Sequence, residues 1–147
     1  MRRNGFTTIE MLIVVVLIGI IVMIGFPKLQ AGFEKQNVRS AQAYLATMVS
    51  TARNAAIQRG CNATLNLTTD SAWVTACGVN PPAASVQVGT KKLIGSDFKV
   101  TLAPSVAALT YSPRGVTTVY QTILVRVNGP HYSDSILVNQ VGKVVRQ

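Results

Sequence analysis

A single apolar run near the N-terminus constrains this chain more than any other feature. From Phe6 to Phe26 the sequence has 21 residues, and Glu10 is the only charged side chain among them. At a rise of 1.5 Å per residue, the run spans about 31 Å as an α-helix, enough to cross the hydrocarbon core of a bilayer. The run therefore predicts a membrane helix that keeps one carboxylate, although a central charge costs about 2.5–3.5 kcal/mol.

The flanks of the run indicate a retained anchor rather than a removed secretory signal. A secretory signal has a shorter apolar region that ends at a small-residue cleavage site, whereas residues 25–28 read GFPK. Arg2 and Arg3 precede the run, and they predict that the N-terminal end stays on the cytoplasmic side. Taken alone, these features describe a single-span anchor that tolerates Glu10.

The residues around Glu10 resemble the type III signal peptide of type IV pilins and type II secretion pseudopilins. The stretch RRNGFTTIE at residues 2–10 contains the basic leader, the glycine and the glutamate of that family. The resemblance implies that a prepilin peptidase cleaves after Gly5 and methylates the new N-terminus at Phe6. Glu10 is then the fifth residue of the mature chain, which matches the family's glutamate.

The resemblance also implies a role for the carboxylate. After cleavage, Phe6 carries an ammonium group within one helical turn of Glu10, and a carboxylate in a low-dielectric setting is tolerated when a cation pairs with it. In the family, the pairing that matters is with the ammonium group of a neighbouring subunit, so Glu10 is expected to act in assembly. Gly19 and Pro27 fall where the family places its helix-loosening glycine and proline.

The helix is predicted to continue from Phe6 to about Arg59, because Pro27 can kink a helix without ending it and Gly60 is a stop signal. An apolar stripe at helical spacing follows the proline: Val38, Ala41, Leu45, Met48, Ala52 and Ala55. The opposite, polar face consists of Lys35, Gln36, Gln42, Thr47, Arg53 and Asn54. The second half of the helix is therefore expected to pack under a globular head.

These features predict an α+β, pilin-like fold, in which a long N-terminal α-helix with a transmembrane first half packs on a C-terminal antiparallel β-sheet head. The expected parts are a leader (1–5), a transmembrane and assembly helix (6–27), its amphipathic continuation (28–60) and a β-rich head (61–147). Alternation, β-branched residues and turn residues predict eight strands in the head. They are Cys61–Leu67, Ala72–Cys77, Ser85–Val88, Phe98–Leu102, Ala108–Ser112, Thr122–Val127, Ser135–Asn139 and Lys143–Arg146.

The two cysteines, Cys61 and Cys77, are predicted to form a disulfide. An even number of cysteines in an exported domain favours pairing. The first two predicted strands flank a turn near Thr69, and pairing about that centre sets Leu65 opposite Trp73 and Cys61 opposite Cys77. Cysteines that face each other across a hairpin have a plausible separation for a bridge. The alternative is two unrelated buried thiols.

Three further stretches resemble the FimT/GspH group of minor pilins and pseudopilins. They are ARNAAIQRG at residues 52–60, LTYSPRG at 109–115 and ILVNQVGKVVR at 136–146. That group has a turn like F-x-P-x-G in mid-domain and a terminal GR-x-R segment. Here Tyr111 replaces the phenylalanine, and one extra residue lies between the basic positions Lys143 and Arg146. The resemblance favours a minor subunit over an abundant major pilin.

The charge balance suits a polyanionic partner, either nucleic acid or an anionic membrane surface. There are 14 Lys or Arg residues against 5 Asp or Glu, which gives a formal charge of +9. Some FimT-like pilins hold DNA with a basic tail, so the candidate DNA-binding residues are Arg114, Lys143 and Arg146. If Lys143 and Arg146 share a strand they point to opposite faces, and the alternative is that these charges are solvated or touch anionic lipid.

No catalytic arrangement is evident in the sequence. His131 is the only histidine, and the proximity of Ser133 and Asp134 along the chain is no evidence for a triad. The carboxylates of the head are too sparse for a convincing metal cluster, and there is no Gly-rich phosphate loop. We therefore expect a protein that is not an enzyme and that has no cofactor, catalytic residue or metal site.

The resemblance implies a minor pilin that helps to initiate or cap a type IV pilus, and the basic charge adds the expectation that it captures DNA without sequence preference during uptake. The alternatives are a GspH-like pseudopilin of type II secretion and a DNA receptor of a competence pilus. The expected partners are other pilins or pseudopilins in a filament, the prepilin peptidase, an inner-membrane assembly platform, the lipid bilayer and DNA. The expected location is the bacterial inner membrane, with one span and a periplasmic head, and then the pilus or pseudopilus.

Overall fold

One long helix begins the fold. The computed structural model describes residues 7–78, 84–118 and 123–146, and its chain separates into two compact units, Met1–Phe33 and Glu34–Gln147. Helix α1 spans Thr8–Arg59, close to the predicted bounds, and it runs through Pro27 without interruption. Gly60 follows with a φ of +64°, the left-handed conformation that commonly terminates helices.

The second half of α1 buries the predicted apolar stripe. All six predicted positions are buried, and Ala41 and Ala52 have no exposed surface. The buried face is wider than predicted, because Val49 and Ala56 are buried as well. Alanines allow the strands of the head to approach the helix closely, so this face forms the centre of the core.

Two residues assigned to the polar face of α1 are placed differently. Gln42 is fully buried, and its Nε2 donates to the Ser135 carbonyl at 3.3 Å while its Oε1 is buried without a partner. Arg53 is half-buried, and its Nε is also buried without a hydrogen-bond partner. The prediction is wrong for these two because the head covers a wider arc of the helix than the apolar stripe alone indicates.

The described residues of the head form two four-stranded antiparallel sheets. The first sheet has the order β3-β2-β1-β5, and the second has the order β4-β6-β7-β8. The inner faces of both sheets and the buried face of α1 belong to one hydrophobic core. The strands are β1 (Ala63–Leu67), β2 (Ala72–Cys77), β3 (Ser85–Lys92), β4 (Thr101–Pro104), β5 (Ala108–Tyr111), β6 (Ile123–Asn128), β7 (Ser133–Val138) and β8 (Val144–Arg146).

A short helix, α2 (Ile94–Phe98), lies between β3 and β4 and was not predicted. The predicted strand Phe98–Leu102 is therefore wrong at its start, because Phe98 closes α2 and Lys99 follows with a φ of 53°. Gly95 leaves room for Asp70 in this turn, since a Cβ on Gly95 would lie 2.8 Å from Asp70 Oδ1. The fully buried Ile94 fixes α2 to the core.

The predicted β1–β2 register is wrong by one residue. Leu65 pairs with Val74, and Trp73 pairs with Asn66. A shift of one residue exchanges the two faces of a strand, and the register is therefore set by which residues are buried. The observed pairing puts Leu65 and Val74 on the same buried face and leaves Trp73 half-buried on the outer face.

Other strand ends also differ from the prediction by one residue or more, among them both ends of β7, which spans Ser133–Val138 instead of Ser135–Asn139. Strand β1 begins at Ala63, so Cys61 precedes it, and β8 begins at Val144, so Lys143 belongs to the preceding turn. Strand β3 extends to Lys92, beyond its predicted end. Thr122, the predicted start of β6, lies outside the described residues.

Candidate functional site

Thr7 and Glu10 form a capping box at the start of α1. The Thr7 backbone N–H donates to Glu10 Oε2 at 2.8 Å, and the Thr7 hydroxyl donates to the same oxygen at 3.0 Å. In return, the Glu10 N–H donates to Thr7 Oγ1 at 3.3 Å. In this arrangement each side chain satisfies a backbone N–H that the helix leaves unpaired. The sequence interpretation misses the cap, although the Thr-x-x-Glu spacing is visible at residues 7–10.

The cap gives Glu10 a role within its own chain besides the predicted role in assembly. Both hydrogen bonds from Thr7 go to Oε2, so the cap does not use Oε1. Glu10 is exposed in the isolated chain, and its carboxylate can be reached by a neighbouring subunit. The predicted cleavage and methylation positions, Gly5 and Phe6, lie outside the described residues.

The apolar part of α1 has no covering within the described chain. The large apolar side chains from Ile9 to Phe33 are exposed, among them Ile21 at 69% and Met23 at 82%. This is the one helix of the described chain that is long and apolar enough to cross a membrane. A Cβ on Gly19 would meet no atom within 4 Å, so packing within the chain does not require glycine there.

Cys61 and Cys77 are joined in a disulfide, with a Cα–Cα distance of 6.3 Å. The predicted pairing of the two cysteines is confirmed although the predicted register is wrong, because Cys61 lies ahead of β1 and is not held to the ladder. Arg59 Nη1 donates to the Cys77 carbonyl at 2.7 Å. The end of α1 and the end of β2 are thus connected both covalently and by a charged hydrogen bond.

Removing the disulfide is expected to destabilise the head by about 2–5 kcal/mol. The bridge closes a loop with a sequence separation of 16, and it restricts the unfolded chain more than the folded one. Thermal unfolding of the full chain in detergent should show a lower Tm for the Cys61→Ser, Cys77→Ser double variant. Reduced wild-type protein is the matched control and should show the same loss. Equal Tm values for oxidised, reduced and double-variant protein would contradict the expectation.

The three stretches that resemble the FimT/GspH group meet around Arg53. Tyr111 is fully buried, and burial raises the pKa of its phenol to about 12, with the Arg53 charge opposing the rise. A Cβ on Gly142 would lie 3.2 Å from Tyr111 Cε1 and 3.3 Å from Arg53 Cδ. A Cβ on Gly115 would lie 3.1 Å from Arg53 Nε. These glycines allow both turns to pack tightly against α1. The three stretches therefore form a structural junction between the helix and two turns of the head.

The two turns of this junction also contact each other. The Thr117 N–H donates to the Gln140 carbonyl at 2.9 Å. Within the first turn, the Gly115 N–H donates to the Ser112 carbonyl at 2.8 Å, and Arg114 is exposed.

The second turn is closed by a hydrogen bond from the Lys143 N–H to Asn139 Oδ1 at 2.8 Å. Lys143 is exposed and lies ahead of β8, so the strand alternation that was expected to separate it from Arg146 does not apply to it. Arg114 and Lys143 neighbour the two glycines that pack on Arg53, and the junction therefore brings these exposed cations to one end of the head. Arg146 lies in β8, where its backbone pairs with Ile136.

The remaining polar groups do not form a recognisable catalytic arrangement in the part of the chain that the structure describes. His131 is exposed, and its Nε2 lies 3.8 Å from Glu34 Oε1. Asp134 accepts from the Ser135 N–H at 2.8 Å and from the Tyr132 hydroxyl at 3.4 Å. Among residues 7–78, 84–118 and 123–146, no group of three or more His, Cys, Asp or Glu side chains is placed to hold a metal ion.

Solved structures with the same fold are a type IV minor pilin and a minor pseudopilin. The type IV minor pilin FimU of Pseudomonas aeruginosa aligns with a TM-score of 0.60 and 15% sequence identity, covering 78% of this chain and 90% of FimU. The minor pseudopilin EpsH of the Vibrio cholerae type 2 secretion system aligns with a TM-score of 0.53 and 11% identity, covering 74% of this chain and 93% of EpsH. No protein-family model and no curated protein sequence matches the chain.

These alignments establish the fold. The chain has the α+β pilin fold, in which a long N-terminal helix is followed by a β-sheet head. The fold class predicted from the sequence is confirmed, and so is the resemblance to pilin-like proteins of the FimT/GspH type at the level of the fold.

Proposed function

We propose that the protein is a minor pilin, a structural subunit that helps to initiate or cap a type IV pilus. In this proposal a prepilin peptidase removes residues 1–5 and methylates Phe6. The first half of α1 then anchors the chain in the bacterial inner membrane with the head in the periplasm. An assembly platform transfers the chain from the membrane to a filament of other pilins.

The observation that carries the proposal is the bare apolar half of α1 joined to a pilin-type head. Exposed apolar side chains in a continuous run require a covering of lipid or protein. A bilayer supplies that covering before assembly, and the helices of neighbouring subunits supply it afterwards. A structural role also agrees with the neighbours of this fold, whose described functions are those of a pilin and a pseudopilin.

A pseudopilin of type II secretion is the alternative function, and the likeness to EpsH supports it. We prefer the pilus to the secretion system because FimU aligns with a higher TM-score than EpsH and its alignment covers more of this chain. Deletion of the gene, scored for pilus number and for protein secretion in the same strain, separates the two machines.

Variants at Thr7 and Glu10 test whether assembly depends on the carboxylate charge or on the helix cap. Glu10→Gln removes the charge but keeps a residue that completes a capping box. Thr7→Ala keeps the charge and weakens the cap, at a cost of about 0.5–2 kcal/mol. Without the Glu10 carboxylate, the N-terminal ammonium group of a neighbouring subunit would be buried without a partner, at a cost of about 3–5 kcal/mol. Glu10→Gln should therefore lower incorporation into filaments by more than tenfold, and Glu10→Ala should do the same.

The measurement is the ratio of the subunit in sheared filaments to that in membranes, determined by quantitative immunoblotting. Thr7→Ala should remain within a few-fold of the wild type, and all variants should be cleaved because the Gly5–Phe6 bond is unchanged. Normal incorporation of Glu10→Gln together with failure of Thr7→Ala would show that the cap, and not the charge, is required.

Non-specific DNA capture is a second candidate function, for this subunit or for a DNA receptor of a competence pilus. The observation that favours it is the junction that brings Arg114 and Lys143 to one end of the head beside Arg53. Exposed cations bind phosphates without reading bases, so binding would be independent of sequence. Arg146 is included because it completes the basic tail of the resemblance.

Titration of labelled double-stranded DNA into the full chain in detergent at two salt concentrations tests this function. Non-specific binding should have a Kd of about 10⁻⁴–10⁻⁶ M. Replacing Arg114, Lys143 and Arg146 by Gln should weaken binding and flatten the salt dependence by about one unit per lost contact. Lys99→Gln is the control, since Lys99 is an exposed cation in a different turn. Binding unchanged by the triple substitution would exclude these residues from DNA capture.

A further inference from the structure

Strand β3 is an open edge of the first sheet. It pairs with β2 on one side, and within residues 7–78, 84–118 and 123–146 no strand pairs with its other side. All eight of its residues, Ser85–Lys92, are exposed or half-buried. Val86, one of its apolar residues, is 46% exposed. An edge of this kind presents backbone groups to which another strand can pair.

The unpaired backbone groups of β3 can be identified from its register. The Gly78 N–H donates to the Ala84 carbonyl, so these two residues form a hydrogen-bonded pair just ahead of the ladder. Hydrogen-bonded and non-hydrogen-bonded pairs alternate in an antiparallel ladder. Ser85 and Gln87 therefore lie in non-hydrogen-bonded pairs with β2, and their N–H and C=O groups point away from the sheet.

The second half of β3 is protected against pairing, but the first half is not. Gly89 has a φ of +75°, and the register shifts beside it, which twists this part of the strand. Gln87 Nε2 donates to the Gly89 carbonyl at 3.1 Å. Bulges and lysines are the features that usually protect edges, and here they lie after Val88. The first four residues of the strand, Ser85–Val88, pair with β2 in a regular ladder.

An apolar groove lies beside this edge on the helix side. It occupies about 230 Å³ between α1 and β3, and Tyr44, Met48 and Val88 line it together with Thr51. Val86 and Val88 pair with the buried residues Ala76 and Val74 and therefore face the helix. A strand added to β3 would direct every second side chain toward this groove, where apolar residues gain from burial.

The outer side of the same edge is positive. The Lys91 ammonium lies 4.6 Å above the Trp73 ring, which holds the charge on the outer face of the sheet. Lys92 is paired with Asp97, whereas Lys91 has no ion pair in the described part of the chain. Residues 34–147 carry eleven Lys or Arg residues against four Asp or Glu, so a second copy of this head would be repelled.

We infer that β3 binds an extended segment of a different protein by strand addition, and that apolar and acidic residues alternate in this segment. The apolar residues would face the groove beside Val88, and the acidic residues would lie on the outer face near Lys91. The inference rests on the proposed function only in taking the partner to be another subunit of the same filament. Main-chain hydrogen bonds to Ser85 and Gln87 hold the segment, and the alternation sets its specificity.

Site-specific photo-cross-linking of the full chain in its own cells tests the inference. A photoreactive residue replaces Ser85, and a second strain carries it at Thr101, an exposed residue on the edge of the other sheet. Position 85 should give an adduct with a different protein, and peptide mapping should locate it in a segment of alternating apolar and acidic residues. An adduct only with another copy of this chain, or no adduct at position 85, would overturn the inference.

Two pairs of variants distinguish strand addition from simple proximity. Each variant is made in the chain that carries the photoreactive residue at position 85. Gln87→Pro removes an outward N–H but no bond to β2, a position where edge strands tolerate proline, whereas Gln87→Ala keeps the N–H. Gln87→Pro should lower the adduct yield by about five- to tenfold, and Gln87→Ala should not. Lys91→Glu should also lower the yield, while Lys99→Glu makes the same charge change elsewhere and should leave it unchanged.

Folding and maturation are measured in the same cells. Each variant should retain the Cys61–Cys77 disulfide and the wild-type Tm. If Gln87→Pro is misfolded, strand addition is judged from the adduct yields of Lys91→Glu and Lys99→Glu. If the chain matures and enters filaments normally but none of these variants lowers the adduct yield, strand addition is overturned and the proposed function is unaffected. Failure of the wild-type chain to mature or to enter filaments would instead contradict the proposed function.

Discussion

The head depends on the contact between the small-residue face of α1 and the inner faces of two sheets. Ala41, Ala52 and Ala56 have no exposed surface, and a larger side chain at any of them would displace a strand from a close-packed core. Because both sheets share this one helix, the buried face extends to Gln42 and to the aliphatic part of Arg53. The Arg53 side chain then becomes the surface on which Gly115 and Gly142 pack, and the positions of the two basic turns follow from it.

The same helix has the opposite character before this contact begins. Its first half buries nothing within the described chain, although it is the most apolar part of the sequence. Covering it in a bilayer or in an assembly would therefore stabilise the chain. Glu10 lies at the start of this bare segment and already completes the helix cap with Thr7. Its role in the helix cap is thus separate from the role in subunit pairing that the proposed function assigns to it.

Features encoded by local patterns were predictable from the sequence. The extent of α1 follows from its 3.6-residue periodicity and Gly60, most strands follow from alternation, and the disulfide follows from two cysteines that flank one hairpin. The register of β1 against β2 was predicted from the turn centre, but burial of Leu65 with Val74 decided it. The burial of Gln42 and the helical state of Phe98 depend on contacts with β7 and with the core, which no local pattern reports. The junction around Arg53 joins three distant stretches of sequence, so its pieces were visible but their meeting was not.

In the proposed function, the bare half of α1 belongs to a processed filament subunit. The decisive measurement is the mass of the intact chain extracted from membranes of its own cells. The mature chain should begin at Phe6, carry one additional methyl group on the N-terminal amine and retain the Cys61–Cys77 disulfide. A chain that retains residues 1–5, or that begins at any residue other than Phe6, would exclude this function.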